Sequence, residues 1–400
     1  MVDFRSLVRL LTFLSLPATV YVGASDAGTT VTVSSPAPPS VQSSVSRPSS
    51  AENLIPYRKG NKWGFSDLRR KLIIAPQYDD AQRFADGLAT VMMNGKYGFI
   101  NTSGRVVIPF TYDYPASFSE GYAAVSVKDK YGYIDKTGKT VVPFKYDLSE
   151  PFHEGLAKVT VGEKSGFIDK TGKELTPLKY DTVGRFHEGF AAVRVGNGAS
   201  GKCGYIDKAS REVIPLKYYA CNEFSEGLAH VRLPDASGHI LDGFIDKSGA
   251  VALPFSRDYY VVFDFHEGLL AVNDHYEDKN GRTVLKPGHD YLGEFSEGLA
   301  MVKINGKLGF IDKSGRLVIP VQFQDPGLKT CSLFSEFREG FAAVMLNGNC
   351  GFIDKTGKPI TPFKYAFVDR FDRGLAYVQL TKDGGEDGYI GRDGTEYFEP

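Results

Sequence analysis

The chain has 400 residues, 42% of them hydrophobic, and its 28 Phe and 22 Tyr supply ample material for a core. A formal net charge of −1 lacks the basic footprint of a nucleic-acid binder. Four cysteines with no Cys-x-x-Cys pair argue against zinc and thioredoxin-like chemistry.

The first 24 residues differ from all that follow. Arg5 and Arg9 flank an apolar run, Leu10 to Val22, which ends in Val22-Gly23-Ala24. A short apolar run with a basic flank and small residues at its end describes a secretory signal peptide over 1–24. An uncleaved membrane anchor is the alternative, although the run is short for a span and holds Thr12, Ser15 and Pro17. Residues 25–53 are mostly Ser, Thr, Pro and Val, which cannot bury a core and read as a disordered linker. The expected location is secreted, periplasmic or cell-surface, with membrane contact only through the N-terminal segment if it stays uncleaved.

From residue 54 to 400 the chain is a tandem repeat. A Phe-x-Glu-Gly kernel places glycines at 87, 121, 155, 189, 227, 268, 298, 340 and 374. A second glycine keeps a similar beat at 64, 98, 132, 166, 204, 243, 309, 351 and 388, and one unit lacks it. A near-fixed period of this kind marks a repeat architecture.

Each unit predicts three short strands. The first is Ala-x-Val-x-Val, as in Ala123 to Val127, with the alternation of a half-buried strand. A turn such as Asn94-Gly95 leads into the second, Tyr-Gly-Tyr-Ile-Asp, because Asn and Gly accept positive φ cheaply. Asp-Lys-Thr/Ser-Gly, as at 135–138, is again turn chemistry. The third strand, Val141 to Asp147, carries Pro143, which removes a ladder donor and suits an edge, a strand end or a bend.

The fold expected is all-β, about nine three-stranded antiparallel meanders stacked into an open spiral or solenoid. A β-propeller-like ring is the alternative. It is disfavoured because nine or more blades exceed the usual range of about four to eight. The opening half-unit and the final unit also do not look complementary.

Lys62-Trp63-Gly64-Phe65 and its successors, Lys96-Tyr-Gly-Phe-Ile, Lys130-Tyr-Gly-Tyr-Ile-Asp-Lys and Lys307-Leu-Gly-Phe-Ile-Asp-Lys, resemble the WG-repeat (KWG) family of bacterial proteins. The resemblance covers 57–400 and implies β-repeats with interaction roles and no shared enzymatic activity. The naming tryptophan occurs once, at Trp63; Tyr97, Tyr131, Ser165, Cys203, Asp242, Leu308, Cys350 and Asp387 hold its place elsewhere. Such tolerance suggests a surface or inter-unit contact.

Spacings of 18 and 19 residues suggest disulfides Cys203–Cys221 and Cys331–Cys350, with buried free thiols as the alternative. His153, His187 and His266 share a kernel position with Ser119, Ser225 and Ser296, a pattern more structural than catalytic. The kernel glutamates invite a glycosidase reading, but an acid repeated in nearly every unit reads better as a partner for backbone donors at a turn. The unit at 256–294 departs most, and holds a polar cluster of Asp274, His275, Glu277, Asp278, His289 and Asp290. Its spacing matches no ligand pattern, so repeat decay into an exposed polar loop is expected. The insertion Leu233 to Leu241 and the loop Gln324 to Ser335 read as excursions that carry specificity.

No catalytic residue, metal or cofactor is assigned. The expected function is a non-enzymatic exported scaffold that binds a protein. An envelope glycan-binding module is the alternative, on the strength of the many aromatics, and a hydrolase acting from 256–294 ranks below both.

Overall fold

The turns and alternating strands read from the sequence assemble into 34 strands, and no α-helix occurs among the described residues. The computed structural model describes residues 54–114, 116–196, 200–256, 264–289, 291–325, 331, 336–381 and 386–399. The expected leader, the linker and most of the loop 324–335 lie outside them. Among the described residues no helix is long and apolar enough to cross a membrane.

A full unit has four strands in one antiparallel sheet, as in Asp80–Ala81, Leu88–Met93, Lys96–Asn101 and Val106–Tyr112. The short first strand, which precedes the kernel turn, adds to the three that the repeat predicts. The kernel turn itself has Glu120 at φ 52° and Gly121 at φ 88°, the two positive angles of a two-residue hairpin, flanked by the Ser119↔Tyr122 bridge. Asp135 closes the next turn, its Oδ1 accepting from the amides of Thr137 and Lys139 at 2.9 and 3.1 Å.

The second glycine has a packing reason. Between the third and fourth strands, Phe99 pairs with Ile108 and Tyr97 with Tyr112, so the fourth strand bulges around Pro109. A Cβ on Gly98 would lie 2.8 Å from the carbonyl oxygen of Ile108. The proline therefore sits both on the outer strand and at a bend.

Neighbouring units join through aromatics. The third-strand ring of one unit meets the kernel phenylalanine of the next: Phe99 with Phe118 at 4.9 Å, Tyr133 with Phe152 at 4.7 Å, Phe310 with Phe337 at 5.0 Å. Such pairs add roughly 0.5–1.5 kcal/mol each beyond the area they bury. Polar bonds repeat alongside. Asp113, just after the fourth strand, pairs with Lys96 of its own unit and accepts from the Lys128 amide of the next at 2.7 Å. This explains why Lys and the Tyr-Asp pair recur together.

The strands form nine sheets, each with one repeat hairpin except a six-stranded sheet that joins two units through the Gln324↔Met345 bridge. The sheets close into a propeller-like ring, which replaces the preferred open spiral. The last strand, Phe398–Glu399, pairs in parallel with the first, Ile55–Lys59, at Arg58↔Phe398 and Lys59↔Glu399. It occupies the sheet edge that a unit's own first strand holds elsewhere. Among the described residues the opening half-unit has no first strand of its own, and Phe398–Glu399 takes that place. Arg58 pairs with Asp387 across this seam, Tyr57 Oη donates to Glu399 Oε1 at 2.6 Å, and Trp63 stands edge-on to Tyr389 at 6.3 Å. Trp63 is buried, so its position is an inter-unit contact and not a surface one.

Candidate functional site

The kernel carboxylates form a structural belt. Asp86 accepts from the Gly121 amide at 2.7 Å, Glu120 from Gly155 at 3.0 Å, and Glu188 from Gly227 at 2.9 Å. Glu297 and Glu339 do the same toward Gly340 and Gly374, both at 2.9 Å. A basic residue of the next unit joins each later step, for example Lys170 to Glu120 at 2.9 Å and Lys355 to Glu297 at 3.1 Å. Burial raises Glu120, but the bonds from Lys170 and the Gly155 amide outweigh it and hold the carboxyl below its usual range. The last kernel carries Arg373 where the other kernels carry an acid. There Arg83 crosses the gap, donating to the carbonyls of Asp372 at 2.6 Å and Arg373 at 3.0 Å. The acids do satisfy backbone donors at turns, and the donors belong to the neighbouring unit.

The polar cluster at 274–290 comes together only in part, at Asp274, His275 and Glu277. The segment is no decayed loop: Leu270–Val272, His275–Glu277 and Thr283–Leu285 form a short three-stranded sheet around fully buried Tyr276. His275 stands between Asp274 at 3.2 Å and Glu277 at 3.0 Å, and Lys286 pairs with Asp274 at 2.9 Å. Asp278 instead closes the usual turn, accepting from Asn280 and Arg282 amides. His289 lies in the segment that follows the third strand, and Asp290 lies outside the described residues. The shortened alternation hid the sheet, because strands of three residues each are too short to show a period. The Leu233–Leu241 insertion is likewise regular, a lengthened hairpin with Leu233 opposite Leu241 and Pro234 opposite Ile240.

The structure joins Cys203 to Cys221 and Cys331 to Cys350, with Cα–Cα distances of 6.1 and 5.6 Å, the pairing that the spacings suggest. Kernel Ser225 donates to the Phe265 carbonyl at 2.7 Å, and His187 in the same position meets Glu223 at 3.0 Å. That position therefore serves the junction between units. The aromatics that a glycan reading would call on are largely core. Tyr291, at 37%, is the one aromatic among the exposed large hydrophobic side chains of the described residues.

One junction between described units holds a cleft. On the face that each unit turns to its successor, three positions lie together, one on or just after the first strand and one each on the second and third. In the 80–112 unit they are Gln82, Thr90 and Tyr97; at 148–180, Glu150, Lys158 and Ser165; at 220–256, Asn222, His230 and Asp242. Their side chains fill the junction: Lys158 pairs with Glu150 at 3.4 Å, and buried His230 Nε2 meets Asp242 Oδ1 at 2.7 Å. In the 122–146 unit, where Ala116 and Ala124 are small, Tyr131 stacks on Tyr114. In the 182–218 unit all three are small: Gly184, Ala192 and Cys203. The result is a cleft of about 500 Å³ between this unit and the first strand of the next, Ala220–Ser225. The Cys203–Cys221 disulfide joins its two walls, and Arg194 crosses it to donate to the Tyr219 carbonyl at 2.5 Å.

Glu223 and Asp264 also line this cleft. They begin a run of acids, Glu223, Asp264, Glu294 and Glu336, each immediately before its unit's kernel phenylalanine. Arg83, Arg185 and Arg370 hold that position in other units. Burial raises Glu223, and its bond to His187 more than offsets this. Asp264 is pushed up by burial; it accepts from Asn222 Nδ2 at 3.2 Å, and its own amide donates to Glu294 Oε1 at 3.3 Å. Burial and the neighbouring Glu336 carboxyl push Glu294 up to about 8. The sequence signal for the cleft was three small residues in one phase.

Matches to the WG containing repeat cover residues 63–97, 97–131, 131–164, 166–198, 204–233, 243–274, 276–307, 309–350 and 351–382. The chain belongs to the WG-repeat family. Curated proteins offer no sequence match. Among solved structures, the crystal structure of the tricorn protease aligns at 13% identity and TM-score 0.21, over 82% of this chain and 41% of that one. Kluyveromyces lactis Hsv2 aligns at 9% identity and TM-score 0.25, over 86% and 95% of the two chains. At such scores neither likeness carries an argument. The WG glycine matches the close strand approach at Gly98, and the WG tryptophan matches the seam contact of Trp63.

Proposed function

We propose that this WG-repeat chain is a non-enzymatic, exported binding scaffold that engages a protein partner. The observation supporting this is the commitment of the kernel acids from Asp86 to Glu339 to inter-unit bonds. The repeated chemistry builds the ring, and recognition falls to what departs from the repeat: the cleft beside Gly184 and the acids that begin at Glu223. Two disulfides suit an oxidising compartment. The test is binding of the purified full chain to envelope fractions from its own organism, before and after protease treatment of those fractions. Binding that protease abolishes is the expected result. Binding that survives protease would replace the protein partner with a glycan or lipid, and no binding would overturn the reading.

A further inference from the structure

We infer that the cleft between the 182–218 and 220–256 units is a binding site for a primary ammonium or guanidinium group carried on an aliphatic chain. The walls are apolar and close: Ala192, Val193, Ala220 and the Cys203–Cys221 disulfide. Its volume of about 500 Å³ falls in the range of roughly 300–1,000 Å³ typical of small-ligand sites. An alkyl chain gains by leaving water against such walls.

The polar lining supplies the charge preference. Glu223 and Asp264 both line the cleft, and Asn222, also in the lining, donates its amide to Asp264 at 3.2 Å. Among the described residues no lysine or arginine pairs with Asp264; the positive neighbours that act on it are His230 and His266. His230 is itself turned to Asp242 at 2.7 Å and depressed by burial, so it offers little charge near neutral pH. A carboxylate drawn from water without a matching cation favours a ligand that brings one. Arg194 lines the cleft too, but its guanidinium is held over the Tyr219 ring at 5.9 Å and bonded to the Tyr219 carbonyl.

The same cationic chemistry reaches the cleft from two sources, a lysine or arginine side chain of a protein or a free diamine. The inference deepens the binding-scaffold reading and rests on it. The test titrates the purified full chain, by calorimetry, with Nα-acetyl-lysine methylamide, with 1,5-diaminopentane and with Nα-acetyl-norleucine methylamide as the uncharged control. Either amine should bind at least tenfold more tightly than the norleucine compound. Preference for the lysine compound assigns the source to a protein side chain, and preference for the diamine assigns it to a free amine. Asp264→Asn, which removes charge at constant shape, should weaken amine binding at least tenfold. Ala192→Leu, which fills the cleft, should do the same by a different route, with both variants checked for an unchanged thermal midpoint. Equal binding of the uncharged compound, absence of amine binding, or folded variants that bind like the parent chain would each overturn the inference. Envelope binding that persists while the amines fail to bind refutes the cleft alone. Amine binding without envelope binding refutes the scaffold reading and leaves the cleft intact.

Discussion

Replacing Phe398 by alanine separates a closed ring from an open array. Phe398 is 4% exposed, packs with the cluster that includes Phe371 and Ile390, and pairs with Arg58 across the seam. Its ring presses on Gly388, where an added Cβ would lie 2.4 Å from Cδ1. Truncating a buried phenylalanine costs about 3–5 kcal/mol. Part of that loss falls on the seam, where the Arg58 amide donates to the Tyr397 carbonyl at 3.2 Å and the Gly60 amide to Glu399 at 3.0 Å. If about 3 kcal/mol is lost from local opening, amide exchange should rise roughly a hundredfold, since each 1.4 kcal/mol is a factor of about ten. Hydrogen exchange by mass spectrometry should show this acceleration at both chain ends, in 55–66 as well as in 387–391. The comparison is Phe310→Ala, which removes a fully buried ring far from the seam and should not single out 55–66. Faster exchange in 387–391 with 55–66 unchanged would refute ring closure by the C-terminal strand.

Further outcomes follow from contacts elsewhere in the ring. Gly98→Ala forces a Cβ against backbone 2.8 Å away and should cost about 1–3 kcal/mol in a urea melt. Gly95→Ala, at φ +75° in open space, should cost only the roughly 1–2 kcal/mol of a left-handed alanine. Glu294 has a folded pKa raised from 4.5 to about 8, so the folded state holds its proton through this window while the unfolded chain releases it. Its contribution to stability is full below about pH 4.5 and is lost as pH rises through about 8. Stability measured at pH 5, 7 and 9 should therefore fall relative to Glu294→Gln, by the order of a few kcal/mol; parallel profiles would sink the assignment. Replacing Cys203 and Cys221 together by alanine should lower stability by about 2–4 kcal/mol, the loss of a cross-link spanning 18 residues. An unchanged denaturant midpoint would mean that the bridge between these two units does not constrain the unfolded chain.

Much of the ring was legible in the residues because the determinants are local. Asn94-Gly95 turns through its own φ preferences, Asp135 through its own side chain, and Ala123 to Val127 alternates because one face must be buried. The kernel glutamates were legible as partners of backbone donors for a similarly simple reason: an acid present in nearly every unit answers a need that every unit has. Two misreadings share a different cause. Segment 270–285 looked like decay because its strands are three residues each, too short for a period, yet Tyr276 still finds the core. The termini looked unmatched because matching them compares residues 55–59 with 398–399, a distance along the chain that no repeat spacing encodes.

The sequence by itself determined the unit: its strands, its turns, its edge proline and the small residue its bulge demands, all consequences of backbone sterics within some 34 residues, as from Gly87 to Gly121. Tertiary structure decided what happens between units. Closure depends on accumulated rotation from sheet to sheet, which brings Phe398 to Arg58 or fails to. The cleft depends on three small side chains from separate strands facing one neighbour at once. Both arise from the addition of many small geometric terms in space, so neither is written at any single position of the chain.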